Sequence, residues 1–307
     1  MTKLIVTSGD PAGCGPLITL KAIYALIDEN ADFFVVGDKK ILQDIPVYEK
    51  VKKRINLIDL NSKEIEKIKK GYISKKAGIA SLNYLNKALQ ILEKEKIKRL
   101  VTAPLSKEAT KLAFRNFSGH TEYLADYFGA KNIAMAMVSQ KLKVVLFTRH
   151  RLLREVPKLI DKGRLINTFS LVYYSLQNMF KIKKPRIAVT SLNPHAGIDT
   201  FLDREEKIVC EAIEDLKKII YGPYPSDTIF IEQNLKKYDC IICLYHDQAM
   251  IPFKLLSLKS GVNLTLGLPI IRTSPAHGVA YDIMRKDKIP FHSSMVEAIK
   301  LAIRLKI

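Results

Sequence analysis

Tryptophan is absent from this sequence of 307 residues, and cysteine and histidine are scarce, with four and six copies. Four cysteines are too few for the disulfide framework of a secreted domain, so we expect a reducing compartment, the cytoplasm. No run of about 18 apolar residues occurs, so we expect no transmembrane helix and no association with a membrane. The first residues also lack the layout of a signal peptide.

Two common nucleotide-binding motifs are missing as well. The sequence has neither the G-x-G-x-x-G of a Rossmann dinucleotide site nor the Walker A pattern of a P-loop. One pair of cysteines, Cys240 and Cys243, has the C-x-x-C spacing of many zinc sites. It lies in an apolar segment that we predict to be a strand, where residues three apart point to opposite faces. No second pair exists to complete a zinc site, so both cysteines are predicted to be core residues.

Acidic residues are outnumbered, 31 against 50 basic ones, which gives a net charge of +19. Such a charge suits nucleic acid, an acidic surface or anionic small molecules. The lysines are scattered and are not interleaved with aromatic residues in an RNA-binding pattern. We therefore expect no nucleic-acid partner; an anionic small molecule or a merely lysine-rich surface accounts for the charge.

Apolar β-rich segments alternate with helical patterns along the chain, which indicates an α/β fold. The predicted strands are Lys3 to Ser8, Phe33 to Val36, Asn56 to Leu60, Arg99 to Thr102, Ile133 to Val138, Lys143 to Phe147, Arg186 to Ser191, Cys240 to Leu244, Val262 to Leu266 and Ile270 to Thr273. The predicted helices are Leu17 to Ile27, Ala77 to Glu95, one from Ser106, Thr121 to Phe128, Leu165 to Met179, one from Asp203 and one from Ser293 to the end. Two consecutive strands between residues 133 and 147 break the alternation and predict a mixed sheet.

Three of the six histidines each follow a predicted strand. They are His150, His195 and His246. If their strands are parallel neighbours, the imidazoles converge at one edge of the sheet, where open α/β sheets bind ligands. Three neutral imidazoles with an open position suit a catalytic divalent metal, with zinc a leading candidate. Asp247 could support a metal ligand or act as an acid–base group.

Other polar residues gather between elements. The turn from Ser8 to Pro16 suits either a ligand loop or a tight strand-to-helix connection. Around Ser118–Glu122, Thr121 is predicted to cap a helix, beside either an anion site or a surface histidine. Lys254, Asn263 and Arg272 lie among apolar residues that we expect to be strands, where fixed positive charge suits a phosphate or carboxylate, or where they simply end strands.

Six stretches of the sequence resemble the 4-hydroxythreonine-4-phosphate dehydrogenase family of pyridoxal phosphate biosynthesis, and they occur in that family's order. They are Gly9–Gly13, Thr102–Lys107, Gly119–Glu122, Asn193–Gly197, Tyr245–Gln248 and Val262–Pro275.

The resemblance implies a fold like isocitrate and isopropylmalate dehydrogenases, with two α/β/α domains, a mixed sheet and an interdomain cleft. The first domain would comprise residues 1–120 and 272–307, and the second, residues 121–271, would carry the metal-site histidines and the dimer interface. The enzyme would be a homodimer with the active site at the subunit interface.

The resemblance also implies roles for single residues. His150, His195 and His246 match the metal ligands, one of them donated across the dimer, and the metal would be Zn, Mg or Co. The implied substrate-binding residues are His120, Thr121, Lys254, Asn263 and Arg272. The implied catalytic residues are Lys254 and Asp247. The implied cofactor-binding residues, for NAD or NADP, are Gly9, Asp10, Ser274, His277 and Gly278.

The activity expected from the resemblance is metal-dependent oxidation of 4-phosphohydroxy-L-threonine, with decarboxylation to 3-amino-2-oxopropyl phosphate. Three positions depart from the family pattern: Leu17, Ile198 and Ala276. Two alternatives therefore stay open. One is a dehydrogenase of a related four-carbon acid phosphate, phosphoerythronate or phosphothreonate, and the other is a non-catalytic homologue that binds a metal or an anion.

Overall fold

The computed structural model describes residues 1–197 and 204–307. The chain forms two compact units, one of residues 1–129 with 268–305 and one of residues 130–267 with 306–307. The boundaries and roles of the two domains that we expected from the sequence stay a prediction.

The first unit is built on a parallel sheet. Its strands are β1 (Thr2–Thr7), β2 (Ala31–Gly37), β3 (Ile55–Asp59), β4 (Arg99–Thr102) and β11 (Ile271–Pro275), in the order β3-β2-β1-β4-β11. Its helices are α1 (Gly15–Ala25), α2 (Lys39–Leu42), α3 (Tyr48–Val51), α4 (Lys75–Lys94), α5 (Lys107–Lys111), α6 (His120–Phe128), α13 (Tyr281–Arg285) and α14 (Ser293–Arg304), with a 3-10 turn at Ile65–Lys67.

The core of the first unit forms where α4 packs on the sheet. Ser74 caps α4 by accepting a hydrogen bond from the backbone N–H of Ala77 at 3.1 Å. Four leucines of this helix pack into one buried cluster with Ile5 of β1 and Leu100 of β4; they are Leu82, Leu85, Leu89 and Leu92. The central strands are buried on both faces, as in other parallel sheets, which explains their continuous apolar sequence.

The second unit has a mixed sheet, as predicted. Its strands are β5 (Ala134–Val138), β6 (Lys143–Leu146), β7 (Ile187–Thr190), β8 (Ile220–Tyr224), β9 (Cys240–Cys243) and β10 (Val262–Leu266), in the order β10-β5-β6-β9-β7-β8. Strand β5 runs antiparallel to both β10 and β6, and the remaining pairs are parallel. The helices are α7 (Val156–Leu159), α8 (Lys162–Asn178), α9 (Arg204–Glu214), α10 (Ser226–Ile229), α11 (Glu232–Leu235) and α12 (His246–Ser257), with 3-10 turns at Leu153–Glu155 and Pro194–Gly197.

The two cysteines of the C-x-x-C pair are core residues, as predicted. Cys240 and Cys243 are both buried in β9. Burial raises the pKa of Cys240 to about 12, so this thiol stays protonated and is a poor metal ligand near neutral pH.

Three expectations about elements were wrong or incomplete. Lys254 lies in helix α12, whereas we expected a strand there. Helix α6 begins at His120 with Gly119 as its N-cap residue and has no side-chain cap, so Thr121 lies inside the first turn and does not cap it. Strand β8 was not predicted, because its sequence contains Gly222 and Pro223, which usually mark turns.

Within the described ranges, no helix combines the length and the apolar character that crossing a bilayer requires.

Replacing Gly78 with alanine is expected to destabilise the protein, although alanine usually stabilises a helix by about 1 kcal/mol relative to glycine. A Cβ atom at Gly78 would lie 2.1 Å from the backbone oxygen of Ala109 in α5, so the two helices would have to separate. A Cβ at Gly163, in helix α8, would meet only the side chain of Asp161 at 3.4 Å. In thermal unfolding, Gly78→Ala should therefore lower Tm while Gly163→Ala leaves it unchanged or higher; equal Tm values would contradict the packing.

Candidate active site

The strands that precede the three predicted metal ligands are parallel neighbours in the second unit. Strand β9 lies between β6 and β7 and is parallel to both. His150 follows β6, His246 follows β9 and His195 follows β7. The strand arrangement on which the histidine prediction depended is therefore confirmed, and all three residues follow the carboxyl ends of adjacent strands.

Two of the three imidazoles come together. The ring centroids of His150 and His246 are 5.4 Å apart. The carboxylate Oδ1 of Asp247 lies 2.8 Å from Nδ1 of His246. When Nδ1 carries the proton that this contact shares, the opposite nitrogen, Nε2, is left as a lone-pair donor, as in carboxylate–histidine–metal arrangements. The donor chemistry of this pair therefore fits a divalent transition metal.

The third histidine is not close enough to complete the set within the single chain. His195 is exposed and has a left-handed backbone with φ of 55°, next to Ala196 with φ of 54°. Over residues 1–197 and 204–307, no three His, Cys, Asp or Glu side chains gather closely enough to hold a metal ion. The fit to a metal thus rests on two imidazoles, and the role of His195 stays a prediction.

Two buried polar side chains to which we assigned no role in the site from the sequence hold this edge together. Glu206 of α9 accepts hydrogen bonds from the backbone N–H groups of Leu192 and Asn193, at 3.1 and 2.8 Å, and so fixes the start of the loop that carries His195. Its second oxygen accepts from the side-chain amide of Asn193 at 2.8 Å.

Gln248 joins the ends of two strands. Its amide donates to the backbone oxygen of Ser191 after β7 at 2.7 Å, and its oxygen accepts from the backbone N–H of Leu244 after β9 at 2.8 Å. Gln248 therefore ties the segments that lead to His195 and His246 to each other. Its place in the Tyr245–Gln248 stretch was the one sequence feature that could have pointed to it.

The remaining predicted residues of the second unit are Lys254 and Asn263. Lys254 is exposed on α12, just over two helical turns after His246. Asn263 lies in β10, and its side-chain oxygen is buried without a hydrogen-bond partner among the described residues. A buried amide oxygen with no partner costs free energy, so it is a candidate to accept a hydrogen bond from a ligand.

Cationic side chains surround the start of α6 in the first unit. Arg272 of β11 is only 2 % exposed, and its Nη2 donates to Oγ1 of Thr102 at 2.7 Å. Gly119 has φ of 128°, and a Cβ atom there would lie 2.6 Å from Cε of Lys107. This crowding, together with the positive φ, favours glycine and lets Lys107 approach the first turn of α6. Helix N-termini attract anions, and fixed cations beside one strengthen that attraction.

His120 lies at the first position of α6, half-buried, next to Thr121. Burial, then the positive charges of Arg272 and Lys107, hold the pKa of His120 well below its usual value of 6.5. The imidazole is therefore neutral near pH 7 and offers one N–H donor and one lone pair. The structure thus places His120, Thr121 and Arg272 in one unit, with Lys107 as a further cation that the sequence analysis did not assign.

The lowered pKa of His120 predicts a change in stability with pH. The unfolded chain binds a proton on this residue near pH 6.5, whereas the folded chain resists it until a lower pH. The stability that neutral His120 contributes to the folded state is therefore fully present above pH 6.5 and is lost as the pH falls below that value. In urea unfolding between pH 7.5 and 5, His120→Asn should lose stability less steeply than the wild type. Equal slopes would contradict a depressed pKa.

The two predicted cofactor segments, after β1 and at the end of β11, contact each other, and the first also contacts the loop after β4. Gly9 has φ of 72°, and a Cβ atom there would lie 2.4 Å from the backbone oxygen of Pro104, so the position requires glycine. The carboxylate of Asp10 is completely buried and accepts from the hydroxyl of Tyr281 at 2.6 Å. The backbone N–H of Cys14 donates to the oxygen of Val279 at 2.9 Å.

Three of the predicted cofactor residues lie in β11 or just after it: Ser274 is in the strand, and His277 and Gly278 follow it. Ser274 is buried, Gly278 is exposed, and Nε2 of His277 is buried without a partner among the described residues. Whether these residues contact a cofactor stays a prediction.

The three departures from the family pattern fall in different places. Leu17 lies in the first turn of α1, half-buried. The backbone N–H of Ala276 donates to the hydroxyl of Ser294 at 2.9 Å. Ile198 lies outside the described residues.

Comparisons with known proteins agree in the family they indicate. The family model of the pyridoxal phosphate biosynthetic protein PdxA matches residues 22–302. A 4-hydroxythreonine-4-phosphate dehydrogenase from Sulfurihydrogenibium sp. is 39% identical, over 100% of this chain and 99% of its own. A D-threonate 4-phosphate dehydrogenase from Salmonella typhimurium is 35% identical, over 99% of each chain.

Solved structures extend the comparison to the fold. A crystal structure of 4-hydroxythreonine-4-phosphate dehydrogenase from Klebsiella pneumoniae superposes with a TM-score of 0.85 at 32% identity, covering 99% of this chain and 97% of that one. Isocitrate dehydrogenase from Methylococcus capsulatus, 11% identical, gives a TM-score of 0.51 over 98% of this chain and 85% of that one. This confirms the predicted likeness to the isocitrate dehydrogenase fold. From the motifs, the fold and these matches together, the chain belongs to the PdxA family of pyridoxal phosphate biosynthetic proteins.

Proposed function

We propose that this protein is an oxidoreductase that oxidises 4-phosphohydroxy-L-threonine with NAD or NADP, with loss of carbon dioxide to give 3-amino-2-oxopropyl phosphate. The observation that carries the proposal is the similarity, over the whole chain, to relatives named for this activity. The cationic surroundings of the α6 N-terminus support a phosphorylated substrate.

His150, His195 and His246 would hold a divalent metal ion, zinc, magnesium or cobalt. When bound, such an ion acts as a Lewis acid and stabilises negative charge on the substrate oxygen. Asp247 orients the ring of His246 through the 2.8 Å contact to Nδ1. The support for a metal is the close approach of His150 and His246 and the imidazole chemistry they share.

The chain's other residues would bind the substrate and move its proton. His120, Thr121 and Arg272 would bind the phosphate or carboxylate, and Asn263 would accept a hydrogen bond through its buried oxygen. Lys254 or Asp247 would take the hydroxyl proton as hydride leaves for the cofactor. Gly9, Ser274, His277 and Gly278 would border that cofactor.

We also propose a homodimer in which one histidine of each metal site comes from the second copy. Three exposed apolar side chains lie on one face of α12 and its C-cap residue: Ile251 is 60% exposed, Leu255 is 82% exposed, and Leu258, the C-cap residue, is 69% exposed. They lie at i, i+4 and i+7, an apolar stripe of the kind that a protein partner covers. The helix begins at His246, so a second copy on this stripe would approach the incomplete histidine set.

Leu255→Glu is expected to convert the dimer to monomers and to weaken metal binding, because a carboxylate would have to be desolvated in the interface. Sedimentation velocity and metal content would measure both effects. Leu112→Glu is the matched control, since this exposed leucine lies outside α12. A wild-type monomer that retains its metal would contradict the proposal.

A second substrate deserves equal testing, because a relative named for D-threonate 4-phosphate is 35% identical over 99% of each chain. The experiment is cofactor reduction by the purified protein with either substrate, with NAD and NADP, and with and without divalent metal. A higher kcat/KM for 4-phosphohydroxy-L-threonine supports the first proposal. A higher kcat/KM for D-threonate 4-phosphate supports that compound as the substrate. No reduction of the cofactor with either substrate supports a non-catalytic homologue.

A further inference from the structure

The carboxylate of Asp10 lies at the meeting point of three loops in the first unit. These loops follow β1, β4 and β11, which are adjacent parallel strands. Ligands of open α/β sheets bind outside the carboxyl ends of such strands. Asp10 belongs to the loop after β1, and its backbone N–H donates to the oxygen of Pro104 in the loop after β4 at 2.9 Å.

The side chain of Asp10 faces inward. Its Oδ1 accepts from the backbone N–H of Ala12 at 2.8 Å and its Oδ2 accepts from the hydroxyl of Tyr281 at 2.6 Å. The residue is 0% exposed. Burial raises the pKa of Asp10, and the hydrogen bonds from Tyr281 and from the backbone oppose that rise. Its oxygens are thus committed to the protein, with no accessible surface for a ligand.

The loop after β11 is fastened to the loop after β1 at more than one point. Besides the Tyr281 contact, the backbone N–H of Cys14 donates to Val279 at 2.9 Å. The Sγ of Cys14 donates to the oxygen of Gly278 at 3.5 Å. A Cβ atom at Gly13 would lie 3.0 Å from the oxygen of Val279, so the two loops are in close contact. The Tyr281 hydroxyl provides the side-chain link to a buried charge.

We propose that Asp10 and Tyr281 are positioning residues for the nicotinamide cofactor: their hydrogen bond sets the distance between the loops after β1 and β11, and Asp10 does not itself contact the cofactor. This inference rests on the proposed function and refines it, because the sequence analysis assigned Asp10 to cofactor contact. The sequence alone did not lead us to assign a role to Tyr281.

The test compares cofactor affinity in Tyr281→Phe, Asp10→Asn and the double variant. Without this hydrogen bond the two loops would have to be ordered when the cofactor binds, and we expect that cost to weaken binding by about tenfold. We therefore expect the Kd of the reduced cofactor and the KM of the oxidised one to rise about tenfold in Tyr281→Phe, with kcat within about threefold of the wild type. Because both residues act through one hydrogen bond, the Kd of the double variant should be no higher than that of the single variant that binds the cofactor less tightly.

The matched control is Tyr238→Phe, whose hydroxyl donates to Tyr224 at 2.7 Å in the second unit. It should leave the Kd unchanged. Thermal unfolding of every variant shows whether the fold persists, and if Asp10→Asn does not fold, Tyr281→Phe alone decides the test. An unchanged Kd in folded Tyr281→Phe overturns the proposal, as does a loss in kcat without a change in Kd.

Binding of the reduced cofactor is measured without substrate, which separates the two proposals. A wild-type protein that binds it but oxidises neither substrate contradicts the proposed function, while the Kd comparison still decides the role of Tyr281. A wild-type protein that binds neither nicotinamide cofactor overturns both.

Discussion

Replacing His246 with alanine is expected to lower kcat/KM by about a thousandfold or more and to release the bound metal. The metal is expected to supply several kcal/mol of charge stabilisation, and each ~1.4 kcal/mol corresponds to a factor of ten in rate. His246 makes both contacts that define the site. Its ring centroid lies 5.4 Å from that of His150, and its Nδ1 lies 2.8 Å from Oδ1 of Asp247. Steady-state kinetics and metal analysis of the purified variant measure both effects.

The control for this substitution is His292→Ala, a half-buried histidine at the start of α14. It should keep its metal content and its activity. Retention of metal and of more than about a tenth of the activity in His246→Ala would contradict the assignment of this residue, because loss of a metal ligand costs far more.

Replacing Arg272 with methionine is expected to lower kcat/KM by about a hundredfold, mainly through KM, because a charge-assisted hydrogen bond to a phosphate or carboxylate is lost. Arg272 is 2% exposed, and burial lowers its pKa to about 10, so it remains a cation near neutral pH. Inorganic phosphate should inhibit the wild type competitively and inhibit the variant much less.

Arg115→Met is the matched control, since Arg115 is exposed in the same unit. Because Arg272 also donates to Thr102, thermal unfolding must accompany the kinetics. A folded Arg272→Met protein with unchanged KM and unchanged phosphate inhibition would remove the anion site from this position.

Much of the fold could be predicted from the sequence where the apolar pattern was regular. The limits of β4 and β10 match the prediction, and the break in alternation before residue 147 predicted the mixed sheet. Helix α12 could not be predicted, because its apolar sequence with Pro252 in the interior does not show a helical pattern of polar and apolar residues. Periodicity cannot distinguish such a segment from a buried strand.

Part of the site could also be predicted, because three of its residues follow strands with a regular apolar pattern. Three histidines after three strands predicted convergence, and the strand order confirms that their strands are neighbours. Burial is a property of the folded chain, however, and it is what makes Glu206 and Gln248 important: both are polar residues with buried hydrogen bonds that hold the loops of the site. Their local sequence, a capping-box-like position for Glu206 and the Tyr245–Gln248 stretch for Gln248, does not reveal that they hydrogen-bond to the loops after β7 and β9.

The most direct test of the account is an assay of protein freed of metal with a chelator, given 4-phosphohydroxy-L-threonine and the oxidised nicotinamide cofactor. Reduced cofactor and carbon dioxide are measured before and after a divalent metal is added. We expect neither product before the addition, and both in equal amounts after it. Full activity without metal, or no reduction of the cofactor in its presence, would contradict the account.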